Sequence, residues 1–214
     1  MTHTETQRIS LPLAQVGCCS SDVPTGWLVR SARAADLQRM TALLESADLP
    51  VDGVADQFGA AYAVAEQNGE LIAALGIERY GAFGLLRSAV VAPSYRGKGI
   101  GEALVLERME WSAGQGIQSL YLLTTTAADY FPRFGFQVIT RAEVPPEVQS
   151  SREFTSSCPS TATVMRLELG SGSALRGVVR IKYAGAARRA QQGETAGCGC
   201  GCSSDPQTVD PITS

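Results

Sequence analysis

LLRSAVVAPSYRGKGIG, residues 85–101, is the stretch whose reading decides the fold. An apolar run ending in Val90 and Val91 stops at Pro93, and a short segment of Arg, Gly and Lys leads into a helical pattern beginning near Gly101. The spacing predicts strand, anion-binding turn and helix. Gly97, Gly99 and Gly101 carry no Cβ, so the backbone can turn tightly there and bring several N–H groups to one charged ligand. A helix starting at that point adds its unpaired N–H groups and its dipole, a combination that favours a pyrophosphate.

Upstream, residues 61–65 and 71–77 read as strands separated by Gln67-Asn68-Gly69-Glu70, a hairpin with Asn-Gly in its turn. Residues 27–33 read as a first strand, and Asp36 as the N-cap of a helix whose Leu37, Met40, Leu44 and Ala47 share one face. Downstream, the helix after Gly101 buries Leu104, Val105, Met109 and Ala113 and leaves Glu102, Glu107 and Glu110 mostly toward water. Residues 119–124 form the next strand, parallel to 85–91 because a helix crosses between them. A short helix over 127–134, a strand over 137–140, a loop with a helical turn opened by Pro145-Pro146 and a strand over 162–169 complete the pattern. The order β-α-β-β-β-α-β-α-β-β over about 140 residues predicts one mixed α/β domain. The expected organisation is a loosely ordered arm over 1–25, a folded domain over 26–170, and a Gly- and Cys-rich tail over 171–214 that is mostly disordered.

The 214 residues carry a formal net charge of −3, and the pI near 5.3 argues against a general polyanion binder. Anion recognition should be local, and no nucleic acid is expected as partner. No apolar run approaches a membrane span, and the first twenty or so residues lack the basic start and apolar centre of a signal peptide. The expected setting is cytoplasmic, without a membrane partner. The six cysteines are clustered: Cys18 beside Cys19, Cys158 alone, and Cys198, Cys200 and Cys202 in the Gly-rich tail. Neighbours this close make poor disulfide partners and suit soft ions as thiols, so the three tail cysteines are candidate ligands for a trivalent metalloid or zinc.

The run Arg96-Gly97-Lys98-Gly99-Ile100-Gly101 after Val90-Val91-Ala92-Pro93 resembles the acetyl-CoA signature of the GNAT superfamily of N-acetyltransferases. Tyr130-Phe131-Pro132-Arg133-Phe134-Gly135-Phe136 resembles that superfamily's helix-to-strand corner. More narrowly, 85–101 with LYLLTTTA and SREFTSSCPSTATVMRLEL resembles the arsenic-resistance N-acetyltransferases of the ArsN group, second type. The tail from about Val178 resembles the opening segment of arsenite methyltransferases and stops where their catalytic domain would begin.

The resemblance implies a mixed sheet with flanking helices and a V-shaped cleft that takes acetyl-CoA as cosubstrate, with no obligatory metal. Main-chain groups of Ala89, Val90 and Val91 would pair with the pantetheine arm, and Arg96, Gly97, Lys98, Gly99, Ile100, Gly101 and Glu102 would hold the pyrophosphate. The superfamily's usual tyrosine falls here on Phe131, leaving neighbouring Tyr130 as candidate acid, although one residue along a helix turns the side chain by about 100°. Glu78, best placed by sequence order, is the candidate base. Arg87 and Arg152 are candidates for gripping a carboxylate or oxyanion of the substrate. The implied activity is acetylation of a small amine, an arsenic-containing amino acid such as arsinothricin among the candidates, in arsenic resistance. The alternative is a metalloid-binding accessory protein that holds arsenite on the tail thiols. A homodimer is left open.

Overall fold

The computed structural model describes residues 26–170. Strands β1 (Leu28–Ser31), β2 (Tyr62–Gln67), β3 (Glu70–Tyr80), β4 (Phe83–Val91), β5 (Ser119–Thr124), β6 (Gln137–Ile139) and β7 (Thr163–Glu168) form one sheet in the order β1-β2-β3-β4-β5-β7-β6. The helices are α1 (Leu37–Glu45), α2 (Ile100–Gly114) and the single turn α3 (Pro146–Gln149). The chain therefore has the expected mixed α/β fold, and β4 and β5 are the parallel pair.

Alternation along the strands sorts the core onto two faces. Ala63, Ala65 and Ile72 pack with Leu104, Val105 and Met109 of α2 on one face. Tyr62, Val64 and Leu71 pack with Met40 and Leu44 of α1 on the other, where Leu85, Tyr121 and Val164 meet Val148 of α3. Between the α1 and α3 clusters the sheet carries charge instead of hydrocarbon, with Glu78 and Arg87 buried there.

Three local expectations change. Residues 127–134 contract to a 3₁₀ turn over Phe131–Phe134, because Pro132 contributes no N–H and Gly135, at φ 96°, ends the turn. Asp36 does not cap α1 with its side chain. Its carboxylate instead accepts from both Arg30 amino groups at 2.7 and 2.9 Å and from the Arg33 N–H at 2.8 Å. Within α2 the fully buried Arg108 breaks the amphipathic pattern. It donates to Glu107 at 2.5 Å and to the Ala60 carbonyl at 2.7 Å, and lies over the Trp111 ring at 4.8 Å. Among the described residues no helix is long and apolar enough to cross a membrane.

Candidate active site

The site begins as a break in the sheet. Strands β4 and β5 pair from Phe83–Ser119 to Leu86–Leu122 and then part, although β4 runs on to Val91 and β5 to Thr124. A bulge opens β4 at the same level: Gly76 faces Arg87 and Ala74 faces Val90, so Ser88 and Ala89 together oppose Leu75. Ser88 takes φ 55°, a left-handed conformation rare for a non-glycine residue. The parted strands leave main-chain groups of Ala89–Val91 without a β5 neighbour, and a cleft of about 290 Å³ forms between them.

Beyond the end of β4 the chain passes through Pro93–Tyr95 to the turn before α2. Gly97 and Gly99 sit at φ 73° and 77°, and a Cβ built on either would meet nothing within 4 Å, so the turn is open. Gly99 precedes α2, and the N–H groups of Ile100, Gly101 and Glu102 belong to the first turn, where a helix offers no partner. Arg96 donates to the Val91 carbonyl at 3.2 Å and bridges turn to strand, while Lys98 lies 4.9 Å from the centre of the Tyr95 ring. Open left-handed glycines followed by a helix N-terminus fit a pyrophosphate.

On the cleft wall stands a buried polar network. The Arg87 guanidinium bonds Glu78, donates to the Asp52 carbonyl at 2.7 Å and pairs with Glu153 at 3.0 Å. Tyr80 donates to Glu78 at 2.7 Å, and the Cys158 thiol to Glu153 at 3.0 Å. Burial and the bond to Glu153 push the Cys158 thiol up to about 12. Burial and the bond to Glu78 raise the Tyr80 hydroxyl as well. Both stay protonated as donors. Burial also pushes Tyr62 up to about 12. For Arg87, burial favours the neutral form, yet the surrounding Tyr62, Glu153 and Glu78 win and raise its pKa.

These positions divide the expected site residues. Arg87, Ala89 and Phe131 line the cleft, joined there by Glu153 and Cys158. Glu78 lies behind Arg87 and lines a separate shallow depression with Arg152. Arg152 is paired with Asp56 at 3.2 Å, both largely exposed. Tyr130 packs edge-on against Phe131, under the Arg133 guanidinium at 4.1 Å, and is not part of the cleft wall. Glu153 escapes a reading of the sequence because it sits in a π-helical turn, Glu153–Ser157, inside a polar loop with no period to mark an inward face. Cys198, Cys200 and Cys202 lie outside the described residues, as do the arm and the rest of the tail. Among the described residues no group of three or more His, Cys, Asp or Glu could hold a metal ion.

Residues 59–138 match a family model described as an acetyltransferase (GNAT) domain. The fold is that of a GNAT acetyltransferase domain. Solved structures agree. N-acetylglutamate synthase from Neisseria gonorrhoeae, complexed with coenzyme A and L-arginine, superposes with a TM-score of 0.58 at 19% identity over 68% of this chain. This chain spans only 34% of that synthase. Rv2747 from Mycobacterium tuberculosis, in complex with CoA and NLQ, gives 0.57 at 21% identity over 66% of this chain and 98% of its own. The ribosomal-protein-S18-alanine N-acetyltransferase from Escherichia coli gives 0.52 at 21% over 67% and 94%. No curated protein matches the sequence.

Proposed function

We propose that this chain is an acetyl-CoA-dependent N-acetyltransferase acting on a small amine. The observation that carries the reading is a parted β4–β5 seam whose β4 runs on into an open glycine turn, with a buried carboxylate, Glu153, on the wall of the cleft that the parting leaves. Gly97 to Glu102 would hold the pyrophosphate, and the free edge of Ala89–Val91 the pantetheine amides. Bound there, acetyl-CoA supplies an activated acyl carbonyl and a thiolate leaving group.

The chain's own contribution is orientation and proton handling. An N–H at the bulge polarises the carbonyl as the amine nitrogen forms its bond to carbon. Glu153, on the cleft wall, takes the proton that nitrogen sheds, while Glu78 holds Arg87 in place from behind. When the carbon–sulfur bond breaks, the thiolate is protonated by water, since Phe131 presents no hydroxyl. The resemblance to the ArsN group supports an arsenic-containing amine as acceptor and arsenic resistance as the setting.

Purified protein is mixed with acetyl-CoA and a panel of amines that includes arsenicals, with thiol release and the acetylated product followed together. The expected result is amine-dependent release. Absence of both coenzyme A binding and thiol release across the panel would sink the reading.

A further inference from the structure

We infer that the acceptor is an amine that carries no carboxylate beside its nitrogen, held by Glu153, and that free α-amino acids are turned away. This rests on the acetyl-transfer reading above, narrows its substrate class and departs from the arsenic-containing amino acid that the sequence resemblance offered. The argument starts from what Arg87 can still offer. Its amino groups are engaged by Glu78, the Asp52 carbonyl and Glu153, and its side chain is 1% exposed. Its Nε is buried with no hydrogen-bond partner. The guanidinium already serves two carboxylates and a carbonyl, so no paired fork is left free for a ligand carboxylate. Arg152, the second candidate grip, points into another depression.

Among the described residues, Arg87 is the only cation on the cleft wall, whereas Glu153 and Asp48 both line it. Behind the wall Glu78 is a second carboxylate on the same guanidinium. Each of the two glutamates also receives a hydrogen bond from a neutral donor, Tyr80 to Glu78 and Cys158 to Glu153, and neither donor brings a positive charge. Two buried carboxylates around one guanidinium leave a negative charge uncompensated, and burying such a charge is unfavourable without a counter-ion. An incoming ammonium supplies one. A ligand carboxylate would instead face Glu153 and Asp48 with no free guanidinium to receive it. The rest of the wall, including Leu49, Pro50 and Pro159, accommodates an apolar body.

The test uses the full chain with coenzyme A present and three ligands sharing one side chain: 2-phenylethylamine, phenylalaninamide and phenylalanine. Binding is measured by calorimetry, with turnover of each followed separately with acetyl-CoA. The amine and the amide are expected to bind at least about tenfold more tightly than the acid. The amide matches the acid in bulk, so it separates charge from size. In Glu153→Gln the gap should close to within about threefold. Phenylalanine binding as tightly as its amide, or no ligand binding at millimolar concentration, would overturn the inference. Should the amine and amide bind selectively yet never be acetylated, the binding preference stands and the transferase reading falls.

Discussion

Asp36 shows how one side chain can be placed correctly and assigned the wrong partner. Its position before α1 suits a cap, but Arg30, brought alongside by β1, offers two N–H groups and takes the carboxylate. Hydrogen bonding to Arg30 holds Asp36 down at about 2 despite its burial. The stabilisation is complete above the ordinary carboxylate pKa of about 4 and is lost as pH falls through the folded value. Asp36→Asn should therefore cost about 2 kcal/mol at neutral pH, with the difference from the parent shrinking to nothing as urea melts are repeated toward pH of about 2. Gly76 is a second residue whose role is set by a neighbour from another strand. A Cβ there would come closer than 3.0 Å to three Tyr62 ring atoms, too close for any carbon. Gly76→Ala should cost about 3 kcal/mol in urea unfolding, and Tyr62→Leu in the same chain should recover most of the added loss. Neither dependence could be read from sequence, since each joins residues from separate elements. The same holds for Glu153, whose partner Arg87 is recognisable but whose own inward turn is set by an irregular loop.

Elements were more legible than contacts. β4 and the turn after it could be read because apolar β-branched residues, Pro93 and spaced glycines each dictate a backbone conformation locally. α2 was read with its burial incomplete: Arg108 looks like a solvent residue by type and is the largest fully buried side chain, made tolerable by Glu107, Trp111 and the Ala60 carbonyl. The start of α2 can be tested by separating shape from space. Gly99 has φ 77° and open surroundings, so Gly99→Ala should cost about 1–2 kcal/mol through backbone strain alone. Gly99→Asn should cost less, because asparagine tolerates that conformation. Both should weaken coenzyme A binding about tenfold in calorimetry, since either side chain projects where the phosphates are expected. Equal affinity in all three proteins would remove the turn from cofactor recognition.

At the scale of the molecule, the described residues, 26–170, close seven strands into one sheet with a core on each face, so this segment should unfold cooperatively by itself in a circular-dichroism melt. Coenzyme A at about a hundred times its Kd should stabilise it by roughly 2.7 kcal/mol, a rise in Tm of roughly 5–10 °C. The parting of β4 from β5 bears on how that stabilisation is distributed. Only a short seam, Phe83–Leu86 against Ser119–Leu122, fastens the β1–β4 block to the β5–β7 block within the sheet. A ligand lodged in the split braces two boards that share one narrow joint. Hydrogen–deuterium exchange should then slow together in β2 and β7, on opposite sides of the joint and neither touching the ligand, so that occupancy of one cleft is felt as rigidity across the whole sheet.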